Sequence, residues 1–229
     1  MSSVRTPQSV ARSYSKKEEL LRVMWQRALA DPEVYLFGDR MQRGFVKTVD
    51  EHDQANPVKP FPDRPHLRVL NQLWTQSQQL LIPKSRQLMV SWFCMARASW
   101  EIMHPGQQWA VTCKKFDDAN SLLERCWLII QNIPEPLRPK AIRKEGLIKI
   151  EHETAPSTLL ALSQDSDSPR SRTFSGIILD EAAFTDNLDK LYTSARPTVQ
   201  GGGKLIMVST PNGRDLFYNL ATDNGRLEL

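Results

Sequence analysis

The sequence contains little cysteine and histidine, and it lacks any long apolar run. Its three cysteines, Cys94, Cys113 and Cys126, show no CxxC spacing, and an odd number does not fit a disulfide framework. The four histidines are scattered without metal-ligand spacing, which argues against a metalloenzyme built on histidine. No apolar stretch is long enough to cross a bilayer, so we expect no membrane association. This cysteine use fits a reducing cytoplasm.

The overall composition is that of a globular protein with a buried core. The chain has 229 residues, of which 40% are hydrophobic and 24% are charged. This length suits one sizeable α/β domain, or one domain with an appendage. The formal net charge is +4 and the pI is about 9.0, which permits contact with a polyanion without requiring it.

The amino-terminal region differs in composition from the rest of the chain. Residues 1–16 are rich in Ser, Arg and Pro, and residues 17–30 have the apolar spacing of a helix. Residues 50–65 are polar and contain four prolines, which predicts an extended connector. We therefore expect an N-terminal helical appendage or mobile arm over residues 1–55 and the main domain over residues 56–229.

Beyond the connector, apolar strand patterns alternate with helical patterns. The predicted strands cover residues 80–82, 108–113, 147–152, 158–163, 176–180 and 204–210. The predicted helices cover residues 66–79, 89–103, 117–131 and 186–195. This alternation predicts a mostly parallel sheet with helices on both faces, in which ligands bind at the carboxyl ends of strands.

One predicted strand ends in two acids, in the segment IILDEAAF over residues 177–184. In P-loop ATPases, an Asp at such a strand end holds hydrated magnesium, and a Glu activates the attacking water. Asp180 and Glu181 are the candidates for these two tasks. The alternative is a buried strand that runs into a helix with an acidic first turn.

A second strand end, PKSRQLMVSW over residues 83–92, has the strand–turn–helix pattern of a phosphate loop but contains no glycine. The usual loop is GxxxxGK[ST], whereas here Val90 precedes Ser91. Lys84 and Arg86 supply cationic side chains near a helix N-terminus, where the helix dipole favours an anion. The alternative is an ordinary turn with Lys84 and Arg86 in solvent.

The third polar strand end follows residues 205–208 and comprises Ser209, Thr210, Pro211 and Asn212. Small hydroxyls and an amide at a strand tip can sense a γ-phosphate or orient a water molecule. The alternative is a Pro-Asn-Gly turn without further function.

Together, KSRQLMVS, IILDEAAF and STPNG resemble motifs of the terminase large subunits of tailed phages, in that order along the chain. The resemblance covers roughly residues 60–220 and implies a P-loop NTPase core of the ASCE type, whose name denotes an additional strand and a catalytic glutamate. It also implies an ATPase motor domain that requires ATP and Mg²⁺ and moves double-stranded DNA into a procapsid.

The resemblance assigns roles to individual residues. Some terminases place the lysine at the start of the loop, which assigns phosphate binding to Lys84 and magnesium to Ser91 together with Asp180. The nucleotide-binding residues implied are Lys84, Ser85, Arg86, Gln87 and Ser91. Glu181 is the implied catalytic residue. Ser209, Thr210 and Asn212 would couple the state of the phosphate to movement.

The resemblance further implies a residue that acts between subunits and several partners. Arg170 has the family's spacing from Glu181 for an arginine finger that reaches a neighbouring subunit's ATP, and Arg172 is the alternative. The implied partners are double-stranded DNA, a homo-oligomeric ring that is a pentamer in the motor, a portal protein and a small terminase subunit. The implied location is the host cell cytoplasm during virus assembly. We expect the C-terminal nuclease domain of the family to be absent, and therefore no nuclease activity.

Two other functions stay open at this point. The chain can be another ASCE-type ATPase, such as a DNA helicase or translocase. It can also be a DNA-binding module whose degenerate phosphate loop no longer hydrolyses ATP.

Overall fold

A seven-stranded sheet forms the centre of the computed structural model, which describes residues 16–50, 53–163 and 173–222. The strands of this sheet are β3 (Gln79–Pro83), β4 (Gln108–Thr112), β5 (Ala141–Lys144), β6 (Leu147–Ile150), β7 (Ser157–Leu162), β8 (Gly176–Asp180) and β9 (Lys204–Ser209). Five of them are parallel, and β6 and β5 continue one edge in antiparallel pairing. The prediction of a mostly parallel sheet is confirmed.

The order of the strands is β3-β9-β8-β4-β7-β6-β5. The strand β3, which precedes the predicted phosphate loop, therefore lies at one edge, and β9 separates it from the acid-bearing strand β8. In register, Pro83 lies beside Ser209, and Asp180 lies beside Val208. An additional strand between β3 and β8 is the ASCE arrangement. Because the three strands end within one residue of each other in register, their polar ends lie together at one edge of the sheet.

Helices cover both faces of this sheet, as predicted. The helices are α1 (Lys16–Ala30), α2 (Pro32–Phe37), α3 (Pro65–Gln76), α4 (Val90–Ile102), α5 (Phe116–Gln131), α6 (Leu188–Gln200) and α7 (Leu216–Thr222). Two single 3₁₀ turns lie at Glu135–Leu137 and Ala182–Phe184. None of the helices in these described ranges has the length and apolar character that a bilayer crossing requires.

The apolar core is divided by the sheet into two clusters. Along β9, Ile206 and Val208 belong to the cluster beneath α3, α4 and α5, whereas Leu205 and Met207 belong to the cluster beneath α6 and α7. Successive side chains of a strand point to opposite faces, so a strand covered on both sides must be apolar at nearly every position. This requirement explains the unbroken apolar runs in β8 and β9.

The described part of the amino-terminal region packs on the same core as the main domain. Its buried apolar members are Ala28, Tyr35, Leu36, Phe45 and Val46. The Trp100 indole N–H donates to the Ala28 carbonyl at 3.0 Å, and the Tyr35 hydroxyl pairs with the Ser99 hydroxyl at 3.1 Å. The division into an appendage (1–55) and an ATPase domain (56–229) stays a prediction.

The segment predicted as an extended connector contains a strand. β2 (Val58–Pro60) pairs in antiparallel fashion with β1 (Lys47–Val49), and the two form a separate two-stranded sheet. Val58–Pro60 is thus extended, as predicted for this segment, but it forms a strand that pairs with β1 instead of a free connector. The preceding residues 47–49 were not predicted as a strand.

A buried arginine joins α3 to α4. The Arg97 side chain is 2% exposed, and its Nη1 donates to Asn71 Oδ1 at 3.1 Å. Its Nη2 donates to Glu101 Oε1 at 3.0 Å, and its guanidinium also lies over the rings of Trp74 and Trp100. Burial lowers the pKa of Arg97 to about 10, while the Glu101 carboxylate opposes that shift. The carboxylate therefore makes the buried positive charge tolerable.

We predict that Glu101→Gln lowers the free energy of unfolding by about 3 kcal/mol, because it removes the charge of the carboxylate that is paired with the buried guanidinium. Glu124→Gln is the matched control, since Glu124 also pairs with an arginine, Arg143, but its own side chain is 60% exposed. The control should lose less than about 1 kcal/mol. Urea denaturation of both variants measures the difference, and equal losses would contradict a special role for the Arg97–Glu101 pair.

Candidate functional site

The three polar strand ends predicted from the sequence meet at the carboxyl edge of the sheet. β9 lies between the other two strands, so the segment that follows it is flanked by the loop after β3 and the turn after β8. The Lys84 backbone N–H donates to the Ser209 carbonyl at 2.9 Å. The Ser209 side chain in turn bonds the acidic turn. One residue thus joins the two segments predicted to bind phosphate and to activate water.

The loop between β3 and α4 makes a tight turn without glycine. Gln87 and Met89 have φ values of 63° and 62°, in the left-handed region that disfavours residues with a Cβ atom. Each such residue costs roughly 1–2 kcal/mol, which the surrounding structure must supply. The sequence predicted a phosphate loop that contains no glycine. The backbone nevertheless adopts, at two positions, the left-handed conformation that glycine adopts most easily.

Neighbouring elements hold this strained loop. His66, in the first turn of α3, donates through Nε2 to the Leu88 carbonyl at 3.1 Å. Leu88 and Met89 also pack against the larger apolar cluster. At the other end of the loop, Pro83 is paired in the sheet with Ser209. Bonds and packing on both sides can keep two left-handed residues in place.

Two cavities border the loop. One, of about 210 Å³, is lined by Lys84, Gln87, Leu88, Met89, Val90, Ser91, Trp92 and Arg125. The other, of about 520 Å³, is lined by Pro83, Lys84, Ser85, Arg86, Phe184, Thr210 and Pro211. Lys84 belongs to both cavities. All five residues predicted to bind nucleotide therefore line one cavity or the other, although their roles stay predictions.

The acidic turn begins with a buried carboxylate. Asp180, the last residue of β8, is 6% exposed. Glu181 follows in the left-handed region at φ 55°, and its backbone N–H donates to Asp180 Oδ1 at 3.0 Å. In a regular strand the two side chains would point to opposite faces. The left-handed turn breaks that alternation, so Glu181 leaves the strand direction directly after Asp180.

Glu181 contacts the lysine of the phosphate loop. Its Oε1 lies 3.4 Å from Lys84 Nζ, although the two residues are far apart in the sequence. The lysine side chain is 11% exposed and the glutamate side chain is 44% exposed, so the carboxylate reaches solvent while the ammonium lies deeper. The predicted phosphate ligand and the predicted catalytic residue are therefore in direct contact.

The segment predicted to couple phosphate to movement is bonded to the acidic turn. Ser209 is fully buried, and its Oγ accepts from the Ala183 N–H at 3.0 Å and donates to the Thr210 carbonyl at 2.9 Å. Asn212 Nδ2 donates to the Ala183 carbonyl at 3.0 Å. Ser209 and Asn212 thus contact the acidic turn, and Thr210 lines the larger cavity.

Two buried thiols lie within electrostatic reach of the acid pair. Burial raises the pKa of Cys94 and of Cys113, and the charge of Asp180 raises both further. Because both shifts favour the neutral thiol, neither group is suited to act as a thiolate nucleophile beside the acids.

A magnesium–nucleotide complex fits the donor set of this edge. Ser91 supplies a hydroxyl in the first turn of α4, and Asp180 supplies a buried carboxylate. In the described ranges, no three His, Cys, Asp or Glu side chains cluster to hold a metal ion by themselves. Magnesium commonly binds with one or two protein oxygens and completes its shell with phosphate and water.

Two of the predicted residues lie outside the described ranges, and one residue that lines the site was not predicted. Arg170 and Arg172 lie outside the described residues, so the choice between them stays a prediction. Arg125, on α5, lines the smaller cavity but had no sequence signal. It lies within an ordinary amphipathic helix remote from the loop in sequence, and only helix packing brings it there.

The strand order and the layers of helices are those of the ASCE type of P-loop fold. No protein-family model matches the sequence. Among solved structures, the fold is similar to the large terminase ATPase domain of Thermus phage P74-26, with 19% identity, a TM-score of 0.59 and coverage of 70% of each chain. It is also similar to the large terminase of bacteriophage HK97, with 14% identity and a TM-score of 0.54.

The HK97 match covers 66% of this chain but only 34% of the HK97 protein, so the chain corresponds to about a third of that terminase. At these identities the comparison shows a shared fold. The fold of this chain is therefore that of phage large terminase ATPase domains.

The left-handed residues of the loop lead to a stability prediction. We expect Gln87→Gly to raise the free energy of unfolding by up to about 1 kcal/mol, because glycine adopts a positive φ without a Cβ clash. Ser85→Gly is the control, since Ser85 is exposed in the same loop but has no positive φ. It should lower stability by about 0.5–1 kcal/mol. Chemical denaturation compares the two, and similar losses in both would mean that Gln87 is not strained.

Proposed function

We propose that this chain is the ATPase motor domain of a viral terminase large subunit, which hydrolyses ATP to move double-stranded DNA into a procapsid. The observation that carries the proposal is the contact between Lys84 and Glu181, made where the phosphate loop, the acidic turn and the segment after β9 join. The fold shared with phage large terminase ATPase domains supports the same conclusion.

In this proposal, the loop residues bind the phosphates. Lys84 and Arg86 hold phosphate oxygens, and Ser85 and Gln87 line the same loop. Ser91 and Asp180 hold Mg²⁺, directly or through water. When bound, the metal ion neutralises charge on the β- and γ-phosphates.

Glu181 is the proposed base for the attacking water. In the structure its carboxylate is paired with Lys84. A triphosphate on the loop would compete for the lysine. Once Lys84 bonds phosphate, the Glu181 carboxylate would lose that partner and be left to orient the attacking water. The same lysine would thereby hold substrate and release the base.

Ser209, Thr210 and Asn212 are the proposed coupling residues. Ser209 bonds both the start of the phosphate loop and the acidic turn. A shift of the loop on binding or losing a phosphate would be transmitted through Ser209 to the acidic turn. The hydrogen bond of Asn212 to Ala183 gives a second connection to that turn.

The wider assembly is part of the same proposal. A ring of identical subunits, pentameric in the motor, would surround the DNA and dock on a portal protein, with a small terminase subunit as a further partner. Arg170 or Arg172 would act on a neighbouring subunit's ATP. Contacts with DNA would be mostly to phosphates, because packaging must accept any sequence. The host cell cytoplasm is the proposed location.

The first test is magnesium-dependent ATP hydrolysis as a function of protein concentration. We expect Glu181→Gln to lower the rate by about 10²-fold or more, because it removes the base. Lys84→Ala should abolish the activity by weakening phosphate binding. The matched control is Glu145→Gln, which changes an exposed glutamate of the β5–β6 turn and should leave the rate unchanged. A trans-acting arginine should make the rate rise more than linearly with concentration.

The other outcomes separate the alternatives. Activity lost in Glu181→Gln but kept in Lys84→Ala would transfer the phosphate role to Arg86. DNA unwinding would favour a helicase. The absence of both hydrolysis and ATP binding, together with nucleotide-independent DNA binding, would favour a non-enzymatic DNA-binding module and overturn the proposal.

A further inference from the structure

Arg125 on α5 is a cation beside the predicted phosphate loop. Its guanidinium lies over the Trp92 ring, 5.4 Å from the ring centroid. It lines the cavity of about 210 Å³ together with Lys84 and Ser91. Within the described part of the chain, no carboxylate comes within ion-pair distance of it. A half-buried arginine that has no carboxylate within ion-pair distance is suited to bind an anion from solution.

The stacking on Trp92 leaves the hydrogen-bonding edge of the guanidinium available. A cation–π contact uses the face of the planar group, whereas its N–H donors point outward in the plane. These donors suit the oxygens of a phosphate, which arginine often binds through two parallel bonds. Trp92 lies in the first turn of α4, so the stack holds Arg125 beside the loop.

The electrostatics of the cavity also favour an anion. Its lining contains two cations, Lys84 and Arg125, and no acidic residue. The N-terminus of α4 opens into the same space and adds the positive end of a helix dipole. Lys84 is paired with Glu181, and Arg125 and the N-terminus of α4 are two further sources of positive potential beside a volume that the loop partly encloses.

The loop itself lacks one positive charge that phosphate loops usually carry. The position directly before Ser91 is occupied by Val90, whose side chain is buried in the core. A lysine at this position would reach the outer phosphates. Arg125 reaches the same cavity from the adjacent helix, so it can supply positive charge that the loop sequence does not.

We propose that Arg125 binds a phosphate oxygen of the nucleotide held on this loop, acting within its own subunit. This inference rests on the proposed function, because it requires nucleotide to bind at the loop. It adds a cis-acting cation that is distinct from the subunit-bridging role proposed for Arg170 or Arg172. The nucleotide would then be held by Lys84 from the loop and by Arg125 from α5.

The test is calorimetric binding of Mg–ADP and of tripolyphosphate to the whole chain. Arg125→Gln keeps a planar group that can stack on Trp92 but removes the charge, and we expect it to weaken both ligands about 10-fold or more. Arg125→Lys keeps the charge and should retain most of the affinity. Arg196→Gln, at an exposed arginine of α6, is the control and should bind as wild type.

The readouts separate a phosphate contact from a packing role. If Arg125 only orders α4 against α5, Arg125→Gln and Arg125→Lys should alter the thermal midpoint alike, without a charge-dependent difference in affinity. Wild-type affinity for both ligands in Arg125→Gln, with weakened binding in Lys84→Ala, would overturn this inference and leave the proposed function intact. Absence of binding by the wild type would overturn both.

Discussion

The buried hydroxyl and carbonyl of Ser209 hold the candidate site together. Its carbonyl accepts from the Lys84 N–H, and its hydroxyl accepts from the Ala183 N–H. A fully buried polar residue must have partners, because unmade hydrogen bonds in the interior cost about 1–3 kcal/mol each. Since those partners belong to the phosphate loop and the acidic turn, the relative position of the two segments depends on this residue, and so does the contact of Lys84 with Glu181.

The loop between β3 and α4 shows how a tight turn between a strand and a helix can be built without glycine. Two residues with side chains adopt left-handed backbone, and they are held there by the His66 bond, by the pairing of β3 with β9 and by packing on the apolar cluster. A left-handed residue also begins the acidic turn, at Glu181. Strained backbone therefore occurs on both sides of Ser209. Strain of this kind persists only where the surroundings determine the geometry, and it concentrates at functional sites.

Sequence reasoning recovered the parts of the fold that local pattern controls. The long apolar strands after residue 66 and the helices between them lie close to their predicted positions, because alternating burial leaves a strong periodic signal. Short elements such as α2 and β5 were missed, since a few residues carry too little periodicity. The segment over residues 50–65 reads as a connector because of its prolines, whereas Val58–Pro60 is held in a sheet by its partner β1. The composition of a segment does not show which other segment it pairs with.

The sequence by itself determined the chemistry at three strand ends: the acids Asp180 and Glu181, the cations Lys84 and Arg86, and the small polar residues from Ser209 onward. These are local features, because a motif is a short run whose spacing is set by one strand and its turn. Only the tertiary structure decided that β9 lies between β3 and β8, that Lys84 meets Glu181, and that Arg125 borders the loop. Strand order and helix packing follow from how the apolar faces of the whole chain are buried together, and no short segment contains that information.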